Sequence, residues 1–401
     1  MRFLFALIIL FTSLCGFAQT PEVPAQRDSL EVSLITCYPG PEIFEIYGHT
    51  AIRVKQGDNF DIAFNYGIFD FSEPNFVMRF CLGSAKYILA YYDFNRFLAS
   101  YADRGSKVVE QKLNLSQETC YKLVNALFLN AEPQNRAYRY NYIYDNCSTR
   151  PRDMIEMAVG PSLKYPAPED GELSFRDIMH QYNGNYEWER FGIELALGTE
   201  LDKTLTVREQ FFAPVYLEKA LDKATYAAND SLTIPLVSQK NILVEGCDEG
   251  VIMPATPFFL SPMFFAVLLL LLTAGITVYD IKNGRQSRGF DTVLYFIAAV
   301  SGCIIFFLVF VSDNAATSPN LTALWLNPYY FIPMILIWIK RSRRFLYYCQ
   351  IINFALLIIM LAGGWLMPQQ FDAAIYPIIA ALALRHFNYI YNNKECANPA
   401  I

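Results

Sequence analysis

The sequence predicts an α+β domain outside the cytoplasm followed by an all-α membrane domain of about five transmembrane helices. Three observations carry that expectation. The chain of 401 residues is 54% hydrophobic and only 17% charged, more apolar than a single water-soluble globule of this size. The apolar excess is confined to the two ends, at 3–11 and beyond 258, while the stretch between them mixes strand-like alternation with helical periods. Lys and Arg are also unevenly shared among the loops of the C-terminal part.

At the N-terminus, Arg2 precedes the run FLFALIILF, and small residues follow through Gly16 and Ala18. This is the layout of a signal peptide over 1–18, cut near Ala18 or Gln19. The run is short for a bilayer span, so an uncleaved anchor is the weaker alternative. Leu14 is larger than a lipoprotein cleavage site before Cys15 requires.

The next segment, 19–257, is long enough for one sizeable core. Alternation predicts strands at 31–36, 43–54, 60–69, 107–115 and 232–245. Helical periodicity predicts helices around 94–103, from the N-cap Ser116 to about 130, at 174–182 and at 210–226, with another opening near Cys147.

Beyond 258, apolar stretches lie at about 259–279, 290–311, 323–339, 345–366 and 372–385, each near the roughly 20 residues a membrane helix needs. The third and fifth are the weakest. Lys282, Arg285 and Arg288 fall in the first connecting loop and Lys340, Arg341, Arg343 and Arg344 in the third, whereas SDNAATSPN and MPQQFD carry neither residue type. The positive-inside rule then places both basic loops and the C-terminus in the cytoplasm and 19–257 outside it, the side a secretory signal also demands. A net charge of −6 lacks the basic footprint of a nucleic-acid partner. With no C-x-x-C spacing and three histidines in all, neither a metal nor a cofactor is expected.

Of five cysteines in 19–257 (Cys37, Cys81, Cys120, Cys147 and Cys247), an odd number leaves at least one free, or paired elsewhere, in an oxidising compartment. Cys147 sits in YNYIYDNCSTRPRDMIE, where an irregular aromatic segment turns into a helix with Pro151 and Asp153 in its first turn. A thiol there faces backbone N–H groups and the positive end of a helix dipole, which favours thiolate and offers donors for an oxyanion. The alternatives are a small buried hydrophobe or half of a disulfide. His49 lies in IYGHTAIRV, and the turn-like QGDN leads into FDIAFNYGIF. A hairpin whose paired residue numbers sum to 114 sets Arg53 across from Asp61, Ala51 from Ala63 and His49 from Asn65, with apolar partners on the other face. Asn65 then orients the imidazole; Tyr66, one register step away, and Asp70 compete for that role. His180 reads as a surface or core histidine and His386 as interfacial.

A histidine on an early strand, a polar residue on the next, and an Asn-Cys pair opening a helix is an order shared with the circularly permuted NlpC/P60 thiol fold and with lecithin:retinol acyltransferase. More closely, YGHTAIRV, FNYGIFDF, LNLS and YNYIYDNCSTRPRD, followed by a multi-helix membrane segment, resemble the Lnb family of bacterial lipoprotein N-acyltransferases. The resemblance implies a permuted NlpC/P60-like periplasmic domain over 19–257, a membrane domain over 258–401, a Cys147 nucleophile and a His49 base. Asn314 departs from it, standing where relatives would carry histidine, which counts against proton transfer in that loop.

The implied reaction moves an acyl chain from a membrane phospholipid, through a Cys147 thioester, to the α-amine of a diacylated lipoprotein at the bacterial inner membrane. Substrate contacts are expected from Tyr66, Asn146, Ser148, Arg150 and Arg152, although the two arginines equally suit structural ion pairs. Phe69, Phe71, Phe76, Tyr91 and Tyr92 suit either an acyl-chain approach or plain core. Two rivals use the same residues: a peptidoglycan peptidase or amidase with the same Cys-His pair, and a non-catalytic receptor or scaffold with Cys147 oxidised.

Overall fold

The computed structural model describes residues 29–69, 74–167, 171–229, 232–248, 250 and 254–397. The signal peptide, Asp70 and Phe71 lie outside the described residues. The first domain is built on an antiparallel seven-stranded sheet of order β6-β4-β3-β2-β1-β5-β9. In chain order its elements are β1 (Leu30–Cys37), β2 (His49–Gln56), β3 (Phe60–Ile68), α1 (Phe76–Cys81), β4 (Lys86–Asp93), α2 (Phe94–Asp103), β5 (Val108–Leu113), α3 (Gln117–Ala131) and β6 (Ala137–Arg139). Then come α4 (Thr149–Val159), α5 (Phe175–Asn183), α6 (Glu187–Ala196), α7 (Pro214–Lys223), β7 (Thr225–Asn229), β8 (Leu232–Pro235) and β9 (Val237–Val244).

The central strand β1, LEVSLITC, is buried at every position but one because both faces of the sheet are covered. Leu34, Ile52 and Phe64 pack on one face with Leu123 and Leu127 of α3, Ile155 of α4 and Leu217 of α7. On the other, Ile35, Ala51 and Ala63 lie under Phe94 and Phe97 of α2. The small alanines leave room for Arg53, whose guanidinium bonds Asp61 and Glu110 at 2.8 Å each and stacks 3.7 Å over Phe94. α3 begins where the sequence signals it, with Ser116 Oγ accepting the Thr119 N–H.

Three expectations change. β2 starts at His49 rather than at 43, because the chain turns through 41–47 and Gly48, at φ 78°, sits where any Cβ would lie 2.6 Å from the Cys37 carbonyl oxygen. The β2–β3 register sums to 116 instead of 114, pairing Ala51 with Asn65 and Gln56 with Phe60. The left-handed Gly57 (φ 60°) thus opens the three-residue turn instead of centring it. A slip of two keeps every side chain on its expected face, so the anticipated partners meet diagonally rather than head-on. Finally, the strand expected over 232–245 breaks at Leu236: β8 pairs with β7 in a separate ribbon and β9 edges the main sheet.

The second domain contains α8 (Pro262–Lys282), α9 (Arg288–Phe310), α10 (Phe331–Leu336), α11 (Arg343–Gly363) and α12 (Ile375–Asn392). Three helical stretches, Pro262–Lys282, Arg288–Phe310 and Lys340–Leu366, are long and apolar enough to cross a membrane. The third apolar stretch is instead a broken path of short 3₁₀ turns before α10, with Asn320 and Asn327 side chains accepting the N–H groups of Thr322 and Tyr329. It presses on α9 at Gly302, where a Cβ would fall 2.3 Å from the Asn327 carbonyl carbon. The fifth, α12, is diluted by Arg385 and His386, which point inward. His386 is fully buried, bonded to Gln350 and stacked on Tyr295. Arg385 is equally buried and bonds Asp291 at 2.5 Å, Asp280 at 2.7 Å and Thr277 at 3.0 Å, tying α12 to α8 and α9.

The sheet domain meets the helical domain at several places, including α6, where the Trp188 indole donates to the Leu260 carbonyl at 2.7 Å. Gly198 and Thr199 donate backbone N–H groups to Ala316 and Pro319, while Asn320 and Gln369 amides donate to the carbonyls of Leu195 and Leu197. Beyond the end of α1, the Leu82 and Cys81 carbonyls accept from the Asp313 N–H and the Ser312 hydroxyl. Both loops free of Lys and Arg therefore contact the sheet domain, as expected if they share its side of the membrane. Removing the cation from the buried cluster strands two carboxylates, so Arg385→Leu is expected to destabilise the helical domain by about 3–5 kcal/mol, measured by thermal unfolding of the detergent-solubilised chain. An unchanged melting temperature would contradict that role.

Candidate active site

Cys147 stands just before α4, and its position is set by Asn146. The Asn146 Oδ1 accepts the N–H groups of Ser148 (2.8 Å) and Thr149 (2.9 Å), capping the helix start. Its Nδ2 donates to the carbonyls of Tyr142 (2.6 Å) and Phe212 (3.0 Å), and its own N–H goes to Thr149 Oγ1 (2.8 Å). Ser148, fully buried, donates to the Phe211 carbonyl at 2.7 Å. These bonds fasten the thiol segment to the turn before α7.

The thiol reaches over the end of the β2–β3 ladder. Pairing stops at Ala51–Asn65, and a bulge between Asn65 and Ile68 in the β3–β4 pairing puts Gly67 at φ 92°. A Cβ on Gly67 would lie 3.4 Å from the Cys147 Cβ, an ordinary contact, so it is the left-handed backbone rather than crowding that favours glycine here. Past the last ladder pair, the Thr50 N–H is directed at the Cys147 sulfur, which also receives the N–H of Cys147 itself. The sulfur thus lies close to the backbone of the residue that follows His49.

His49, the first residue of β2, is half-buried, with Nε2 3.1 Å from Asn65 Oδ1. The Asn65 Nδ2 donates to the Ala63 carbonyl at 3.2 Å, which orients the amide and leaves its oxygen facing the ring. Nε2 therefore carries the proton and Nδ1 is left with a free lone pair. Tyr101 of α2 stacks on the imidazole at 6.3 Å between centroids and 13° between planes, and is hydrogen-bonded to Cys37, the β1 residue opposite His49.

Burial governs the electrostatics. It pushes the Cys147 thiol up to about 11, with the two N–H groups offsetting only part of the effect. It pushes His49 down to about 4, against the Asn65 hydrogen bond and helped by the Arg104 charge. The thiol and the imidazole both rest neutral, and no hydrogen bond joins them. This departs from the thiolate expected at a helix start: Asn146 already occupies the first free N–H groups, and desolvation outweighs the dipole.

The expected substrate contacts divide. Asn146 and Ser148 use their hydrogen-bonding capacity internally, and the buried Arg152 bonds Asp153 and the Arg208 carbonyl, so these three shape the site without facing a substrate. Arg150 grips Asp145 bidentately and stacks 3.8 Å over Tyr138; with Tyr66, Asn130 and Met154 it lines a cavity of about 290 Å3 that Cys147 does not line. The Tyr66 hydroxyl accepts from Asn130 on the sheet face opposite Asn65, which removes it from competition for His49. His180 pairs with Glu194 away from the site. Cys37, Cys81, Cys120 and Cys147 are free thiols.

Sequence reasoning missed Tyr101, Gly67, Tyr138 and Tyr140. The Tyr138 hydroxyl is buried with no hydrogen-bond partner among the described residues, and it and the Tyr140 ring each come within 3.9 Å of the Cβ position on Gly67. Only Gly67 left a signal, as a lone glycine inside the alternating FNYGIF.

Two family models match the chain: the Lnb N-terminal periplasmic domain over 19–181 and the Lnb transmembrane domain over 255–395. The first takes in His49, Asn65 and Cys147; the second takes in α8 to α12. Searches of curated proteins and of solved structures return no match.

A thiol held near 11 has a thiolate fraction that falls tenfold for each pH unit below that value. Iodoacetamide alkylation of Cys147, read on its own peptide by mass spectrometry, is therefore expected to accelerate about tenfold per unit between roughly pH 7 and 9. A rate already level at neutral pH would mean a resting thiolate instead.

Proposed function

The chain belongs to the Lnb family, both of whose domain models it matches in order, and on that premise we propose that it is an inner-membrane lipoprotein N-acyltransferase working through Cys147. In this reading the donor is a membrane phospholipid and the acceptor is the N-terminal diacylglyceryl-cysteine of a lipoprotein. What supports it is the His49–Asn65 hydrogen bond, with the Cys147 sulfur near the N–H of the residue after His49, on a domain bonded directly to a membrane domain.

In the first half-reaction the Cys147 sulfur attacks the ester carbonyl carbon while His49 Nδ1 takes the thiol proton. The imidazolium returns that proton to the departing glycerol oxygen, leaving a thioester and a lysophospholipid. In the second, the lipoprotein α-amine attacks the thioester carbonyl, Nδ1 removes a proton from the nitrogen, and the sulfur leaves and is reprotonated. An α-amine has a pKa near 8, so a usable fraction is neutral at physiological pH. Both tetrahedral intermediates carry an oxyanion. The donors available to it are the N–H groups of Thr50 and Cys147 and the Tyr138 hydroxyl, which burial keeps protonated.

Asn65 holds the tautomer that leaves Nδ1 basic, and Tyr101 supports the ring from below. The broken stretch around Leu321–Leu336 and the short α12 complete five membrane crossings in this reading. The free Cys147 thiol speaks against a scaffold with a bridged Cys147.

Mass spectrometry of lipoprotein N-termini in cells that depend on this gene tests the assignment. Cys147→Ala and His49→Ala are expected to abolish N-acylation, and Asn65→Ala to lose less than the roughly 10²–10⁴-fold a general base supplies. Undiminished N-acylation in the Cys147 variant would exclude the nucleophile; intact lipoproteins with altered muropeptides on gene deletion would indicate a peptidase. Tyr138→Phe, which keeps the ring and removes only the donor, is expected to lower kcat by about 10²-fold with little change in KM. An unaltered kcat would remove Tyr138 from the oxyanion site.

A further inference from the structure

Helix α1 has the sequence FVMRFC, and its Val77, Met78 and Phe80 are 69, 55 and 41% exposed. The nearby corner before β2 adds Ile43 and Phe44 at 44 and 57%. Five large apolar side chains on two short neighbouring segments form a patch that a water-facing surface has no reason to keep.

The location of the patch is fixed by the bonds that follow α1. Beyond its end, the Cys81 carbonyl accepts from the Ser312 hydroxyl at 2.6 Å and the Leu82 carbonyl from the Asp313 N–H at 3.1 Å. Gly83, at φ 68°, lies so close to Asn314 that a Cβ would fall 2.9 Å from its backbone nitrogen. Residues 312–314 are where α9 has just ended, and Phe310 and Val311, the last apolar residues there, are themselves 66 and 51% exposed. The patch is thus continuous with the lipid-facing end of a membrane span and on the same side as the sheet domain.

A series of rings leads inward from it. Phe44 meets Phe69 at 6.2 Å, and Phe69 meets Phe76 at 5.6 Å and Tyr87 at 5.2 Å. Tyr87 stacks on Tyr140 at 4.0 Å, and Tyr140 and Cys147 both abut Gly67. Of the aromatics singled out in the sequence, Phe69 and Phe76 belong to this series. Tyr91 packs on Phe64 and Phe128, against α3.

We propose that α1 and the Ile43–Phe44 corner dip into the periplasmic leaflet of the bilayer and form the entrance through which a phospholipid acyl chain reaches Cys147 along the Phe69–Tyr87–Tyr140 rings. The inference rests on the acyl-transfer reading for the identity of the passenger. The leaflet contact stands on exposure and attachment alone. An apolar surface held at this depth has acyl chains as its neighbours, and aromatic faces offer those chains a continuous, water-poor lining.

The test is photo-crosslinking of the full-length chain in nanodiscs of phosphatidylethanolamine and phosphatidylglycerol. A benzophenone amino acid replaces Met78, Phe44 or Phe69 in turn, with Tyr91, 48% exposed near the other end of β4, as reference. Phospholipid adducts at 78, 44 and 69 are expected to exceed those at 91 by at least about tenfold. Adducts no greater than at 91, or crosslinks to a second copy of the chain, overturn the leaflet contact. Adducts at 78 and 44 but none at 69 overturn the entrance. The readout needs no catalysis, so the same yields are expected in the Cys147→Ala background. Lipid adducts on a chain whose Cys147 is never acylated would refute the acyl-transfer reading alone, whereas an acylated Cys147 without adducts would refute this one alone.

Discussion

The hydrogen bond between His49 Nε2 and Asn65 Oδ1 is the contact on which the proposed chemistry depends, because it decides which imidazole nitrogen is basic. It has three structural conditions. The β2–β3 hairpin must keep both side chains on one face. The Ala63 carbonyl must hold the Asn65 amide the right way round. The ladder must end at Ala51–Asn65, so that the strand beyond opens at Gly67 and the thiol segment can close over it. Each follows from ordinary sheet geometry, and together they aim Nδ1 away from Asn65 and free the Thr50 N–H for sulfur.

Much of this was legible in the chain, and the illegible parts share a physical cause. Alternation identifies β1 and β3, and the N-cap Ser116 marks α3, because those signals are local. His49 and Asn65 were paired correctly from a register that was wrong by two residues, since a side-chain period of two preserves the face and diagonal neighbours on a twisted sheet still touch. The start of β2, by contrast, is set by the close approach of Gly48 to Cys37, a contact between residues eleven apart. Tyr101 and Tyr138 come from α2 and β6, which no spacing rule links to Cys147. The thiol's protonation was misjudged because a dipole argument sees the helix start but not the Asn146 amide that occupies it or the burial around it.

Attachment to the helical domain gives the site a fixed height relative to the bilayer. The contacts include backbone hydrogen bonds from Gly198 and Thr199 to Ala316 and Pro319 and from Asp313 to Leu82, which tolerate little sliding, and side-chain bonds from Ser312, Asn320 and Gln369. The broken membrane stretch that receives them is itself held against α9 by the close approach at Gly302, and α12 is held to α8 and α9 by Arg385. Under the acyl-transfer proposal such rigidity helps, because both reactants are then confined to one plane and meet at raised local concentration.

A neutral resting pair also makes physical sense of a reactive sulfur outside the cytoplasm. Thiolates, not thiols, are oxidised and exchanged into disulfides, and Cys37, whose own thiol is pushed up by burial, is the β1 residue facing His49. If Cys147 rested as a thiolate, that neighbour would be a standing route to a bridge. In the proposed mechanism, the sulfur held neutral in a desolvated site acquires charge only as its proton moves to His49 Nδ1 and the negative charge passes on to an ester oxygen. The donors that stabilise that oxygen, the N–H groups of Thr50 and Cys147, spend the resting state on the sulfur itself. In the proposed mechanism the same groups that steady the thiol are released to the oxyanion as the new bond forms, so charge appears when an acyl group is present to receive it.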